Sequence, residues 1–348
     1  MEQEINTSVV TEQTTPQQDT VEVTQEQQKP EEPKYENCSY SKLGVYEQCP
    51  FKFKLRYIDK HYVNSDSIAT EFGTAAHHAE ESIANCIKDS KQINYPAIKA
   101  QYLIDMTKLQ GKYYTTWYDL DKTNRTYEEK KWSYLDLMIR KLEYLLSIRP
   151  SLKVIGAEVP VRYVHNNKYL FKGSIDRLLY DDVLKKYIIM DIKSWPTIKG
   201  KEDELVTSLQ FAVYTRAFAA ANKISESDVI CYYDLPFDVN TEINPEFGLP
   251  GIYQSGTKGF MKRAFAKIDK ILTAIENKEF APKTGKLCHW CEFCPTNPNQ
   301  PEEGKRLCPY YCIWTHQNPV FEVANMFTKL EDYEEINAQY YGIQGGER

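Results

Sequence analysis

The sequence has no apolar run near the ~20 residues that a membrane-crossing helix needs, and its polar first segment has no apolar stretch of the export-signal kind. The expectation is a soluble, unexported chain without a membrane partner, with the cytoplasm as default compartment. No Gly-Lys-Ser/Thr phosphate loop occurs, so any nucleotide-driven motor would be a separate chain. No internal repeat is visible either, which argues against a solenoid.

The formal charge of -6 is an effect of the ends. Residues 1–36 hold nine acidic and two basic residues, and residues 321–348 hold six and two. The stretch between them has 39 basic against 34 acidic residues. A mildly basic middle permits a nucleic-acid partner without requiring one. The first segment, rich in Gln, Glu and Thr and almost without large apolar residues, is expected to be a disordered acidic tail, and 321–348 a second acidic tail. The folded domain is expected over 37–320.

Nine cysteines in a cytoplasmic chain are poor candidates for disulfides, and five of them fall between Cys288 and Cys312. Cys288 and Cys291, with two residues between them, can reach one metal, and Cys294, Cys308 and Cys312 follow. A zinc knuckle could be built from this segment alone. An iron-sulfur cluster could instead recruit a distant cysteine such as Cys49, which precedes Pro50.

Ser39 is placed to cap a short helix, and the alternating segment 51–57 follows. A helix is expected from Gly73 to about Lys88, with His77 in its first turns and His78 turned about 100° away. Two long helices are expected over 97–149, forming a helical insertion in which Lys, Tyr and Trp interleave from Gly111 to Trp132. Such rings among cations can stack bases, but Trp132, Leu135, Met138, Ile139, Leu142 and Leu146 repeat at helical spacing and read as core. Strands are expected at 153–164, 169–180, 186–193 and 227–235, and helices at 202–221 and 258–278, with a loop around 244–256. The order fits an α/β core carrying a helical insertion.

The strands 169–180 and 186–193 each carry a carboxylate, Asp176 and Asp191, with Lys193 two residues past the second. A hairpin would set them side by side. Two carboxylates crowded with an ammonium suit Mg²⁺ or Mn²⁺, and the Ile192 carbonyl could complete the shell. Lys193 would orient or deprotonate water. Glu158 lies on the preceding strand, and Gln210 and Tyr214, four apart, share a helix face.

Taken in order, Ser41-x-Leu43 with Cys49-Pro50, Gly73-x3-His77, Gly173-x2-Asp176-Arg177, Asp191-Ile192-Lys193, Gln210-x3-Tyr214 and the cysteine cluster 288–312 resemble the RecB-type branch of the PD-(D/E)xK nucleases. The likeness is to its iron-sulfur members, such as the AddB nuclease domain and the CRISPR-associated RecB-like exonucleases. It implies a restriction-endonuclease-like core, a central mixed sheet flanked by helices. It implies that His77, Asp176, Asp191 and the Ile192 carbonyl hold metal, and that Lys193 is the catalytic lysine. Gln210 and Tyr214 would position DNA or the site, with Glu158 an accessory acid. It further implies a four-iron four-sulfur centre on Cys49, Cys288, Cys291 and Cys308, with Cys294 as alternative fourth ligand and structural zinc as alternative metal. Ile175 stands where the superfamily signature has Pro.

The implied activity is metal-dependent DNA hydrolysis by an exonuclease in recombination, repair or replication, beside a helicase, a recombinase or another DNA-processing partner. The rival is a non-catalytic DNA-binding or assembly protein that keeps the fold and the cluster as scaffold.

Overall fold

β3 (Tyr169–Asp181) is the strand on which the sheet is built. The computed structural model describes residues 35–63, 68–112, 141–193, 195, 197–236, 238, 243–285, 287–288, 291–294 and 307–310. The tail 321–348, nearly all of the tail 1–36, the Lys/Tyr/Trp stretch from 113 to 132 and Cys312 lie outside them. Before β3 come β1 (Glu36–Cys38), α1 (Tyr40–Gln48), α2 (Pro50–Phe53), a π-helical turn (Lys54–Ile58), α3 (Ile68–Lys88), α4 (Tyr95–Lys112), α5 (141–148) and β2 (Leu152–His165). After it come β4 (Lys186–Ile192), α6 (Glu202–Val206), α7 (Leu209–Asn222), β5 (Val229–Asp234), β6 (Ile252–Ser255) and α8 (Phe260–Glu276). No helix among the described residues is long and apolar enough to cross a membrane.

The sheet is mixed. β2 runs antiparallel along one edge of β3, from Leu152 opposite Asp181 to His165 opposite Tyr169. The other edge is shared: β1 lies parallel to Tyr169–Phe171, and β4 pairs antiparallel with 177–181. β5 follows parallel to β4 and β6 antiparallel to β5. Residues 172–176 of β3 are thus left without a strand partner on the shared edge, and this gap holds the candidate site.

Helices cover both faces. α1, α7 and α8 pack one apolar core with Phe171, Ile175, Ile189 and Tyr233, and α3, α4 and α5 pack another with Leu179, Ile188, Met190 and Tyr232. Residues two apart on a strand normally share a face. Yet Ala157 of β2 belongs to the α3 core and Val159 to the α7 core, while on β3 Ile175 and Leu179 divide the same way. Both strands change faces at one level, that of Glu158 and Asp176.

Four expectations are corrected. The alternation of 51–57 is not a strand: Pro50 starts α2, and the π-helical turn follows. Phe51 and Leu55, four apart, join the small core around Cys308, while Phe53 and Tyr57, also four apart, join the α7 core. The period of two was two helix faces read as one strand. α3 begins at Ile68, not Gly73, because Gly73 is an ordinary helical residue with nothing within 4 Å of the place a Cβ would take. The helix expected over 202–221 breaks at Thr207, where Ser208 caps α7 by accepting from the Phe211 N–H at 3.3 Å. The loop around 244–256 contains β6, whose pairing with β5 its Gly and Asn content concealed.

Candidate active site

After the Arg177–Met190 pair, β4 leaves β3 and continues only along β5, with Asp191 opposite Tyr233 and Ile192 opposite Asp234. The Lys193 N–H extends that ladder to the Asp234 carbonyl at 2.9 Å. On the abandoned side, Asp176 Oδ2 accepts from the Ile192 N–H at 2.8 Å. A side chain thereby satisfies a backbone donor that the parting strands would leave open.

Three donors converge at this fork. His77 Nδ1, from α3, lies 3.7 Å from Asp176 Oδ2 and 3.9 Å from Glu158 Oε1. One ligand atom from each of His77, Glu158 and Asp176 lies within 4.8 Å of the other two. Glu158 stands level with Asp176, between the pairs Ala157–Arg177 and Val159–Ile175, and its φ is 47°. A left-handed non-glycine residue within a strand costs about 1–2 kcal/mol, and here it falls where the strand changes faces.

The second half of the site lies towards α7. Asp191, 2% exposed, takes Lys193 Nζ at 2.6 Å on Oδ2 and the Gln210 amide at 2.5 Å on Oδ1, and Lys193 reaches Gln210 Oε1 at 3.4 Å. Gln210 stands in the first turn of α7, whose start is fixed by Ser208, itself 2.9 Å from the Tyr233 hydroxyl. Tyr214 follows one turn later against Gly173, where an ideal Cβ would come within 2.5 Å of the ring. The edge of Tyr40 meets Tyr214 with centroids 6.1 Å apart.

Burial, then the charge of Asp191, pushes the Asp176 carboxyl well above the usual carboxylate range. Burial lowers His77, which Asp191 and a hydrogen bond to the Ile192 backbone partly offset. Burial would lower Lys193 too, but Asp191, Tyr40 and Asp176 hold it above the ordinary lysine value, so it remains an ammonium.

The residues singled out in the sequence therefore gather in two linked groups. Glu158 joins His77 and Asp176 as the three closely spaced donors, whereas Asp191 turns to Lys193 and Gln210. Tyr40 was not foreseen, and nothing in its spacing marks it. Nor was the buried network behind the site, in which Arg177 bonds Glu80 at 2.6 Å and Asp234 at 3.0 Å, and Lys141 lies 2.5 Å from Asp234. Glu80 alone carried a hint, standing three residues from His77 on one helix face.

The family model described as the PD-(D/E)XK nuclease superfamily matches residues 37–296, most of the chain. The chain belongs to that superfamily. No curated protein matches it. The PD-(D/E)XK fold, a mixed sheet with flanking helices, is the one described above, and its nucleases act on nucleic acid with divalent metal ions.

The donors gathered at this fork fit such an ion: one imidazole and two carboxylates converge, and Asp191 adds negative charge that Asp176 resists when no cation is near. Away from the site, Cys49, Cys288, Cys291, Cys294 and Cys308 line one cavity with Lys52, Leu55, Phe293 and Tyr310. Cys49 ends α1 and precedes α2, and its sulfur accepts from the Lys283 N–H at 3.3 Å. Burial pushes the Cys291 thiol up to about 12 and the Cys308 thiol well above its ordinary range, with the neighbouring Cys291 and Cys49 adding to the second. Buried thiols of this kind become thiolates when a cationic centre is bound. The N- and C-terminal elements also meet directly: the Tyr46 hydroxyl donates to the Glu279 carbonyl at 2.5 Å, Phe53 stacks on Phe280, and Lys52 pairs with the buried Glu292 at 2.8 Å.

Proposed function

We propose that this nuclease is a Mg²⁺- or Mn²⁺-dependent exodeoxyribonuclease that hydrolyses DNA from its ends in recombination, repair or replication. The observation that carries the reading is the contact between the two halves of the site, where Asp176 takes the Ile192 N–H and faces His77 and Glu158 while Asp191 holds Lys193. His77, Glu158 and Asp176 would hold the ion, with Asp191 and the Ile192 carbonyl beside them. A bound divalent ion supplies positive charge for the attacked phosphate and lowers the pKa of water.

The chain's own residues do the rest. Lys193, held as an ammonium, places a charged donor where negative charge gathers on the phosphate during attack. Gln210 fixes the Asp191 carboxylate so that Lys193 has one position rather than several. Tyr214 and Tyr40 wall the site on the α7 side and narrow the access of bulk water. Linear and covalently closed circular DNA, incubated with Mg²⁺ or Mn²⁺, test the reading: the linear form is degraded from its ends and the circle survives. Cutting of the circle would contradict an exonuclease, and survival of both would contradict a nuclease.

The cysteine cavity is proposed to hold a four-iron four-sulfur centre on Cys49, Cys288, Cys291 and Cys308. Cys308 lies close enough to Cys49, Cys288 and Cys291 for all three to act on its buried thiol, so the four can serve one centre. Anaerobically purified protein should be brown with absorption near ~400 nm; colourless protein containing zinc would overturn the centre and leave the nuclease standing.

A further inference from the structure

Along β2 and β3 one pair of side chains is opposed against electrostatic advantage. Arg162 and Lys172 are direct cross-strand partners, both exposed, and neither has a carboxylate partner among the described residues. Like charges set opposite each other on an antiparallel pair destabilise the sheet. Elsewhere on this ribbon cations are matched: Lys153 pairs with Asp182, Arg149 with Asp181, and Lys168 with Glu276.

The position of the pair is specific. Phe171 and Ile175 pack into the α7 core, and Gly173 faces Tyr214, so these alternate residues define one side of β3. Lys172 and Ser174 occupy the other side, where Asp176, at the change of faces, meets His77 of α3, and Pro160 and Arg162 lie opposite Ser174 and Lys172. Among the described residues the α3 and α4 side chains do not reach this end, since the β2 residues in their core stop at Ala157. Among the described residues the result is an open strip with two unmatched cations at one end and Asp176, Glu158 and His77 at the other. Lys172 lies four positions before Asp176, about 13 Å along the strand at ~3.3 Å per residue.

We propose that Arg162 and Lys172 bind the phosphate backbone of the DNA strand and lead it along the open β2–β3 strip to the metal-binding fork. This rests on the nuclease reading and extends it to the path of the substrate. The cations read no sequence; they neutralise phosphates and set the strand's register in the site. Their repulsion in the free protein is relieved when a polyanion lies across them.

The test is binding of a fluorescent single-stranded DNA oligomer to the full chain without divalent metal, at several salt concentrations. In R162Q/K172Q the affinity at low salt should fall at least about 10-fold, and the slope of log K against log salt should flatten by roughly 1.4, the release expected for two phosphate contacts on a single strand. The charge-matched control K185Q/K223Q, at exposed positions of the β3–β4 turn and the end of α7, should bind as wild type does. Thermal melting should show R162Q/K172Q to be at least as stable as wild type, because a repulsion has been removed. Unchanged affinity and slope in R162Q/K172Q, or an equal loss in the control, would overturn the proposal. Cleavage with Mn²⁺ separates it from the nuclease reading: a chain that binds through these cations but cuts nothing overturns that reading alone, and a variant that binds and cuts as wild type does overturns the strip alone.

Discussion

Arg177 Nε donates to Glu80 Oε1 at 2.6 Å, with both side chains 2% exposed, and this pair ties the strand that presents Asp176 to the helix that presents His77. Arg177 is adjacent to Asp176 in sequence, and Glu80 lies one turn from His77. The other side of the guanidinium holds Asp234, whose backbone carbonyl takes the Lys193 N–H. One buried cation thus aligns three elements of the site.

Removing one partner of this network should cost much more than a surface pair. Arg177→Met leaves Glu80 and Asp234 buried with less compensation, and a loss of about 3–5 kcal/mol is expected in urea unfolding. Glu80→Gln retains the shape and one hydrogen bond. It should be milder in stability and still weaken Mn²⁺ binding measured by calorimetry, because His77 loses its tether. Glu80→Gln with wild-type Mn²⁺ affinity would show that the pair does not position His77.

Gly173 and Tyr214 should behave as a coupled pair. A Cβ at Gly173 would meet the Tyr214 ring at 2.5 Å and its hydroxyl at 2.8 Å, so Gly173→Ala must displace the ring, at a cost of about 1–3 kcal/mol. In a Tyr214→Ala background the same change should be nearly neutral. A double-mutant cycle measured by thermal unfolding checks this, with additive effects as the contrary result.

The strands of the site were legible in the sequence and its supports were not. Asp176 and Asp191 sat near the ends of adjacent apolar runs, with Lys193 two residues past the second, and the hairpin follows from that pattern. Ser208 interrupts a helical pattern that looks continuous, because its value lies in hydrogen bonds to Phe211 and Tyr233 rather than in its spacing. Lys141, Glu80 and Asp234 look like surface charges in the sequence, since burial and pairing across distant segments leave no periodic trace. The alternation at 51–57 failed for a related reason: Lys and Arg can lay their stems over apolar surface between two packed helix faces. Glu158 was visible as an acid, but its left-handed backbone, which belongs with the change of faces, was not.

The hairpin end supplies a pH dependence. Burial alone would raise Asp181, but the Leu184 and Val183 N–H groups and the Arg149 guanidinium hold it below its ordinary 3.8. A carboxyl lowered in the folded state stabilises fully above that ordinary value, and the contribution is lost as pH falls through the folded value. Asp181→Asn should therefore lower stability at neutral pH and flatten the acid limb of the stability profile below about pH 4. Parallel profiles for variant and wild type would contradict the assignment.

The cysteine centre should act as a clasp between the chain's N- and C-terminal elements. Cys49→Ser or chelation of iron should bleach the absorption near ~400 nm and open the 279–294 segment to protease. The β3–β4 hairpin should stay protected from amide exchange, because its own pairing does not pass through the cluster. Equal protease resistance with and without the centre would leave Tyr46, Phe53, Phe280 and Glu292 as the whole clasp.

The central claim is that the Asp191–Lys193 half of the fork performs nuclease chemistry, and degradation of linear DNA with Mn²⁺ by Lys193→Ala protein tests it most directly. The account predicts a loss of at least about 100-fold, the scale for removing a charged group aimed at the transition state, with DNA affinity near wild type, measured well below a melting temperature that falls because the buried Asp191 loses its partner. Wild-type degradation by Lys193→Ala would contradict it.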